Sequence, residues 1–297
     1  MKIQSLSICV PAPCFNNCKF CVSRLHPDKT QNLIEDEFEF SDLHHADYKD
    51  CMDFARDNGC NTLMYTGDGE PLMNKRFIEE TSNINNSLNN PFRWIELQTA
   101  GYRLHENVDG RNKYLRWLRN KIRVKVISLS LSSIFSDIDN AFYNQTPDKL
   151  IVNIHKVCSE IKRFDFTLRL SLNMTDFYNG ISPEKIFKRA QELGANQITF
   201  RKLYKTNGSE NNSVNDFIDK HSCKETTMMS IERFITTNGR ELEILPFGAT
   251  RYSLNEISTV LDTDCMNEKT KSELKYLILR QNCKLYSKWD DLGSILF

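Results

Sequence analysis

Residues 14–21 read Cys14-Phe15-Asn16-Asn17-Cys18-Lys19-Phe20-Cys21 and place three cysteines within eight residues. The run comes soon after residues 2–10, whose alternating polar and apolar side chains predict a β-strand. Thiolates at these spacings can point inward from one loop and bind a common metal centre. Three protein ligands on a four-iron cluster leave one iron open, which a catalytic cluster needs and an electron carrier does not. We therefore expect a metal centre directly after the first strand.

A structural zinc site is the alternative interpretation of this loop, with Cys9 or His26 as the fourth ligand. Common structural zinc sites pair two two-cysteine knuckles, or two cysteines with two histidines. The three-cysteine run matches neither arrangement, so the iron–sulfur interpretation is favoured.

The composition is that of an ordinary globular protein. The 297 residues carry 39 Lys and Arg against 39 Asp and Glu, and 40% are hydrophobic. A net charge of zero gives no global field to attract nucleic acid or an anionic membrane, and no run approaches the roughly 20 apolar residues of a membrane-spanning helix. The first ten residues alternate where a signal peptide would be continuously apolar. We expect a soluble, cytoplasmic protein whose ten cysteines stay reduced.

Strands and helices alternate through the first two thirds of the chain. Predicted strands cover 2–10, 61–66, 92–99, 124–131, 166–173 and 197–204, and predicted helices cover 43–58, 75–88, 112–118, 147–162 and 183–193. This order predicts an α/β fold, a partial (β/α)6 TIM-like barrel with its site at the carboxyl ends of the strands. Residues 1–204 form the predicted core domain. Residues 205–297 form a C-terminal α+β extension and substrate cap, with helices over 214–220 and 226–237 and strands over 241–245, 257–261, 275–279 and 283–287.

The cysteine loop resembles the signature loop of the radical S-adenosylmethionine (radical SAM) superfamily. The resemblance lies in the gaps of three and two residues and in the aromatic Phe20 before the last cysteine. The second strand ends in Gly67-Asp68-Gly69-Glu70-Pro71, which is similar to the family's Gly-Gly-Glu-Pro motif except at Asp68. The resemblance implies that this segment binds the amino group of the methionine moiety. Two glycines in three residues also suggest a backbone that approaches a ligand, although a tight strand-to-helix turn has the same chemistry.

The third and fourth strands match the family's sequence motifs less closely. The third strand ends in Gln98-Thr99-Ala100-Gly101, which is similar to the family's Thr-Asn-Gly except at Ala100. The fourth strand has three serines on one face, and the resemblance implies that one or more of them meets the carboxylate or ribose of S-adenosylmethionine (AdoMet); hydrogen bonds to neighbouring backbone are the alternative. These serines are Ser128, Ser130 and Ser132.

The fifth and sixth strands supply the remaining candidates. Arg169 is the best candidate for a carboxylate clamp, because a guanidinium pairs bidentately with a carboxylate. Asn173, on the same strand face, is a candidate ribose contact. Arg201, on the sixth strand, points to the substrate or forms a surface salt bridge. No catalytic residue beyond these cofactor contacts is predicted.

The resemblance implies that Cys14, Cys18 and Cys21 hold a [4Fe-4S] cluster whose fourth iron is chelated by AdoMet. A reduced flavodoxin or ferredoxin would supply the electron that cleaves AdoMet, and the resulting radical would abstract hydrogen from a small-molecule, nucleotide-like or short-peptide substrate. A non-catalytic Fe–S or zinc protein, serving as a sensor or electron carrier, is the alternative. The Gly67-to-Pro71 segment argues against a carrier, which has no use for a ligand-binding turn.

Three further features have two interpretations each. Some members of the family bind a second cluster in the C-terminal region, but Cys223, Cys265 and Cys283 lack a paired spacing, which favours incidental thiols. Residues 246–252 could cap a substrate pocket, and an exposed loop is preferred. The basic, aromatic run 111–125 could contact RNA, but a helix docked through Leu115 and Leu118 is favoured, so nucleic acid is not expected as a partner.

Overall fold

The fold is described from a computed structural model of the chain. It describes residues 2–11, 13–24, 42–105, 112–205, 212–245, 248–262, 273–289 and 293–296. The strands are β1 Lys2–Val10, β2 Thr62–Gly67, β3 Trp94–Thr99, β4 Val126–Leu131, β5 Thr167–Met174, β6 Gln197–Lys202, β7 Arg240–Ile244, β8 Thr250–Leu254, β9 Ile257–Asp262, β10 Glu273–Leu279 and β11 Leu285–Tyr286.

Helices connect the strands on the outside of the sheet. The α-helices are α1 Asp42–Asp57, α2 Lys75–Ser87, α3 Tyr102–His105, α4 Lys113–Trp117, α5 Asp137–Asn144, α6 Ile154–Arg163, α7 Pro183–Glu192, α8 Asn212–His221 and α9 Glu225–Asn238. Short 3-10 turns lie at Val22–Arg24, Pro71–Met73, Asp148–Leu150 and Asp176–Tyr178, and a π-helical turn lies at Leu118–Ile122. Within the described part of the chain, no helix is long and apolar enough to cross a membrane.

The predicted α/β order is confirmed, with three differences among the helices, one of which is the short unpredicted helix α3. The predicted helix 147–162 is a 3-10 turn followed by α6, because the Asn153 side chain accepts a hydrogen bond from the Lys156 N–H at 2.9 Å and starts a new helix. Helix α5 was not predicted from the sequence. It is capped in the same way, with Ser136 Oγ accepting from the Asp139 N–H at 3.1 Å.

All eleven described strands belong to one sheet, in the order β11-β10-β1-β2-β3-β4-β5-β6-β9-β8-β7. Strands β1 to β6 pair in parallel, as predicted, and two strands of the C-terminal segment continue the parallel arrangement. Strand β9 pairs in parallel with β6, and β10 pairs in parallel with β1. The division at residue 204 remains a prediction about domains, since in the sheet itself both segments contribute neighbouring strands.

Strand β8 corrects the expectation of a loop over 246–252. Residues 246–247 lie outside the described residues, but Thr250 to Leu254 pair antiparallel with both β7 and β9. This strand depends on its two neighbours for hydrogen bonds. A local sequence pattern carries no information about such pairing.

The two faces of the parallel sheet differ in polarity. The outward side chains of β2 to β5 are apolar and buried against the helices in the main core; they include Leu63, Tyr65, Ile95, Leu97, Ile127, Leu129, Leu168, Leu170 and Leu172. The alternate side chains face the other way and include the polar Thr62, Thr66, Glu96, Gln98, Arg169 and Arg201, which line a cavity of 820 Å³. Ligand pockets in proteins are commonly about 300–1,000 Å³. The inner face is therefore a polar, ligand-sized space.

An ion pair links the outermost parallel strands, β9 and β10. Lys275 Nζ lies 2.8 Å from each carboxylate oxygen of Asp262, and the two side chains are 17% and 7% exposed. Within the described residues, β9 and β10 share no backbone pairing. Side-chain charge, rather than a hydrogen-bonded ladder, joins these two strands.

We predict that Lys275→Met lowers the free energy of unfolding by about 2–4 kcal/mol, because it leaves the Asp262 carboxylate buried without its cation. Urea denaturation measures the loss. The control is Lys205→Met, which removes an exposed pair with Asp219 and should cost about 1 kcal/mol or less. Equal losses in the two variants would contradict a special role for the buried pair.

Candidate functional site

Loops from three neighbouring strands meet at the carboxyl edge of the sheet. The cysteine loop follows β1, residues Gly67–Pro71 follow β2, and Thr99–Gly101 follow β3. The Gly69 N–H donates to the Val10 carbonyl at 3.0 Å, and the Glu70 N–H donates to the Pro13 carbonyl at 3.1 Å. The segment predicted to bind the methionine moiety is thus joined by its backbone to the start of the cysteine loop.

The Glu70 carboxylate connects the second and third loops. It is buried and accepts hydrogen bonds from Thr99 Oγ1, from the Ala100 N–H at 2.9 Å and from the Leu72 N–H at 3.3 Å. Burial raises the pKa of Glu70, and these three hydrogen bonds oppose the rise. The carboxylate caps the 3-10 turn that begins at Pro71, which is also buried. Its carboxylate oxygens are engaged by the protein itself.

A glycine is required at position 67 because the backbone of β1 packs closely against it. Its φ is +136°, and a Cβ at this position would lie 2.4 Å from the Val10 backbone nitrogen. No L side chain fits there. Packing between β1 and β2 is thus one reason for a glycine at this position; Gly67 also lines the cavity, and the approach of a ligand there stays a prediction.

Asp68 has an internal partner that the sequence did not indicate. Its Oδ2 lies 2.8 Å from Arg280 Nη1, and the two side chains are 6% and 5% exposed. Cys9 Sγ donates to the same oxygen at 3.2 Å, while Asp68 Oδ1 is buried and receives no hydrogen bond from any described residue. The departure from the family motif at Asp68 thus attaches the C-terminal segment to the loop after β2.

The three loop cysteines differ in exposure from the rest. Cys14 is exposed and Cys18 and Cys21 are half-buried, whereas every other cysteine that the structure describes is buried. Cys18 Sγ lies 3.4 Å from the Asn144 carbonyl, and Cys21 Sγ lies 2.9 Å from Ser23 Oγ. Their soft thiol donors and their accessibility fit an iron–sulfur cluster. Among the described residues, however, no three Cys, His, Asp or Glu side chains are gathered into a metal site.

The zinc alternative receives no support from the surroundings of Cys9. This thiol is 2% exposed, and its Sγ contacts Asp68 and, at 3.7 Å, Arg280 Nη1. Burial and the neighbouring Asp68 charge raise its pKa, which disfavours the thiolate that zinc requires. The other suggested ligand, His26, lies outside the described residues.

The cysteine loop is held from the side by two elements. The Asn17 N–H donates to the Asn144 carbonyl at 3.2 Å, which attaches the loop to the end of α5. On the other side Phe20 packs with Val214 and Ile218 of α8, and its ring stacks on Phe217 with centroids 6.2 Å apart. Phe20, predicted as a cofactor contact, anchors the loop beneath α8.

Polar side chains of β4 and β5 lie on the face of the sheet opposite the apolar core. Asn173 Nδ2 lies 3.4 Å from Ser130 Oγ and 3.5 Å from Ser132 Oγ, so these predicted contacts are adjacent. Ser128 and Ser171 are 1% and 2% exposed, and neither hydroxyl has a hydrogen-bond partner among the described residues. Buried polar groups are normally paired. These two orphaned hydroxyls fit a polar ligand on the inner face.

Arg169 does not serve as a free carboxylate clamp. Its guanidinium binds the Glu96 carboxylate of β3 at 2.6 and 3.1 Å, and its Nε donates to Gln197 Oε1 at 2.7 Å. It also lies four residues before Asn173, about 13 Å along the strand and away from the carboxyl edge. Its partner, Glu96, lies on β3 outside any sequence motif, so the sequence did not indicate this ion pair.

Arg201, unlike Arg169, is not paired with a carboxylate of any described residue. It lies near the end of β6, lines the cavity, and forms no ion pair with any described residue. Its Nε is buried and has no hydrogen-bond partner in the part of the chain that the structure describes. Among the described residues no salt bridge forms at Arg201, and a ligand contact from its cavity position stays a prediction.

Cys223 and Cys283 do not form a shared ligand set. Cys223 Sγ contacts Asn179 Oδ1 at 3.6 Å, whereas Cys283 Sγ contacts the His44 carbonyl beside α1 at 3.5 Å. Burial raises the pKa of each thiol to about 11. Cys265 lies outside the described residues. These contacts agree with structural thiols rather than a second cluster.

The remaining described cysteines are buried, and the basic run agrees with the prediction of a docked helix. Cys9, Cys51, Cys60 and Cys158 are core residues at 0–2% exposure. Leu115 and Leu118 are fully buried while the described basic side chains around them are exposed, as expected for a docked helix.

Comparisons with known proteins support the fold. No protein-family profile and no curated protein matches the chain. The solved structure "Native anSMEcpe with bound AdoMet" matches with a TM-score of 0.56 and 13% identity over 97% of this chain and 76% of that one. A structure of polyhistidine-tagged anSMEcpe with bound AdoMet matches with a TM-score of 0.58 and 12% identity over 100% and 74%.

A third match, "Native anSMEcpe with bound AdoMet and Cp18Cys peptide", has a TM-score of 0.54 and 12% identity over 98% of this chain and 79% of that one. At such low identity the likeness shows the fold alone. The chain has the mixed α/β architecture of these AdoMet-bound structures, with a large central sheet and helices around it.

We predict that Gly67→Ala lowers the free energy of unfolding by at least about 2 kcal/mol, because the new methyl group meets the Val10 backbone. Thermal and urea denaturation measure the loss. Gly59→Ala is the matched control: its φ is also positive, at +92°, but nothing lies within 4 Å, so about 1 kcal/mol is expected. A loss at Gly67 no larger than at Gly59 would refute the close-approach argument.

We also predict that Arg280→Met costs about 3–5 kcal/mol, because it strands the buried Asp68 carboxylate. Adding Asp68→Asn should recover part of this loss, since the stranded charge is then removed. Arg163→Met, at an exposed arginine, is the control and should change stability by less than about 1 kcal/mol. Strict additivity of the two substitutions would show that the pair is not coupled.

Proposed function

We propose that this protein is a radical SAM enzyme that cleaves AdoMet reductively and abstracts hydrogen from a small-molecule, nucleotide-like or short-peptide substrate. One observation carries the proposal. The accessible three-cysteine loop is joined by hydrogen bonds to the loop after β2 at the edge of a polar cavity, in a fold shared with AdoMet-bound structures.

Cys14, Cys18 and Cys21 are the proposed ligands of a [4Fe-4S] cluster. When bound, such a cluster supplies the electron that converts AdoMet to methionine and a hydrogen-abstracting 5'-deoxyadenosyl radical. The chain's part is to present three accessible thiols on one loop, with Cys14 as the most exposed of them. That exposure suits the entry of an electron from a reduced flavodoxin or ferredoxin, the proposed donors. A reducing compartment such as the cytoplasm suits these thiols.

The loop after β2 is proposed to position AdoMet. Glu70 keeps its carboxylate inside the loop and fixes the backbone of residues 67–71 against Thr99 and Ala100. A backbone held this way is preorganised to accept hydrogen bonds from the ammonium group of AdoMet. Asp68 acts through Arg280, which makes it a positioning residue rather than a cofactor ligand.

The inner face of β4 and β5 is proposed to bind the polar parts of AdoMet. Ser130 and Asn173 offer a hydroxyl and an amide side by side, and the hydroxyls of Ser128 and Ser171 still have unfilled hydrogen-bonding capacity. The surrounding strands limit the access of water to this face. Exclusion of water and of stray hydrogen donors protects a radical reaction.

The test is anaerobic reconstitution with iron and sulfide, followed by incubation with dithionite and AdoMet. We expect about four irons per chain and formation of 5'-deoxyadenosine, measured by chromatography. Cys18→Ala should abolish both. Cys158→Ala, at a buried cysteine remote from the loop, should retain both and serves as the matched control.

Two results would contradict the proposal. Zinc without iron would favour a structural metal site. Four irons per chain with no 5'-deoxyadenosine would favour an electron carrier or sensor.

A further inference from the structure

The charged side chains around the cavity do not balance. Four cations face three carboxylates: Arg169, Arg201, Arg251 and Lys275 against Glu96, Glu243 and Asp262. Each carboxylate is within ion-pair distance of one cation: Glu96 with Arg169 at 2.6 Å, Glu243 with Arg251 at 2.9 Å and Asp262 with Lys275 at 2.8 Å. Among the described residues, the surplus charge is therefore on Arg201.

The neighbours of Arg201 do not neutralise it. On β6 it is in register with Asn173 of β5 and with Asp262 of β9. Asn173 is neutral and is directed to Ser130 and Ser132, and both oxygens of Asp262 are taken by Lys275. No described residue supplies a hydrogen-bond acceptor to the buried Nε of Arg201. A guanidinium in this state has unfilled capacity for an anion.

The position of Arg201 separates it from the cysteine loop. That loop follows β1, and β6 is separated from β1 by β2 to β5 along one side of the sheet and by β9 and β10 along the other. In the proposed function the carboxylate of AdoMet lies at the cysteine loop. An anion at Arg201 therefore belongs to a second molecule in the cavity.

We propose that Arg201 binds an anionic group of the substrate, a carboxylate or a phosphate, and thereby selects acidic substrates. The inference rests on the proposed function and names its substrate class. Arginine suits the task because its planar fork binds two oxygens of either group at once. The three ion pairs around the cavity leave the other cations occupied, so the selectivity falls on Arg201.

The test measures anion binding to the reconstituted protein with saturating AdoMet present. The probes are inorganic phosphate, succinate and the neutral succinamide. Binding is followed by calorimetry and by tryptophan fluorescence, since Trp94 and Trp289 line the cavity. We expect saturable binding of phosphate or succinate but not of succinamide. Tighter binding of phosphate would indicate a phosphate-bearing substrate, and tighter binding of succinate a carboxylate-bearing one.

Three variants locate the site. Arg201→Gln should weaken anion binding at least tenfold. Arg201→Lys keeps the charge but loses the planar fork, so its affinity for the anion should lie between those of wild type and Arg201→Gln. Arg163→Gln, an exposed arginine 61% accessible in its side chain, should match wild type. Circular dichroism and thermal melting confirm that each variant is folded.

Three outcomes would overturn the inference. These are equal anion binding by Arg201→Gln and wild type, no saturable binding by wild type, and loss of AdoMet binding by both Arg201 variants in equilibrium dialysis. The last result would show that Arg201 serves the carboxylate of AdoMet itself. Wild-type 5'-deoxyadenosine formation, measured in the same preparation, reports separately on the proposed function.

Discussion

The buried carboxylate of Glu70 is the interaction on which the geometry of the site depends. It accepts two hydrogen bonds, from Thr99 and Ala100, that join the loop after β2 to the loop after β3, and a third from the Leu72 N–H within its own segment. Its own N–H holds the start of the cysteine loop. Three segments distant in sequence are thereby fixed at one edge of the sheet. A buried acceptor left without these donors would be costly, so the three loops are stabilised together rather than one by one.

The polar inner face of the sheet makes this edge suitable for binding a ligand. Apolar side chains face the helices and form the core, while charged and hydroxyl-bearing side chains face a cavity of 820 Å³. An interior filled with apolar side chains would leave no room for a ligand. Among the described residues Arg201 lines this cavity without a paired carboxylate, a feature expected of a space that holds a polar, partly anionic molecule.

Much of this could be predicted from the sequence because it depends on local patterns. Alternating strands and helices follow from periodicity, and the cysteine loop from its spacing. The pairings that decide what each polar residue does could not be predicted. Asp68 meets Arg280 across 212 positions, and Arg169 meets Glu96 across 73, with no local pattern at either partner. Arg169 thus looked like a ligand clamp, whereas its charge is already neutralised within the sheet.

The central claim is that the loop after β1 holds a four-iron cluster with one iron open to AdoMet. Electron paramagnetic resonance of the reconstituted, dithionite-reduced protein tests it most directly, recorded with and without AdoMet. The account predicts a reduced-cluster signal whose g-values shift when AdoMet is added, because AdoMet binds the open iron. A signal unchanged by AdoMet would show a fully ligated cluster and would contradict the claim, as would the absence of any cluster signal from iron-loaded protein.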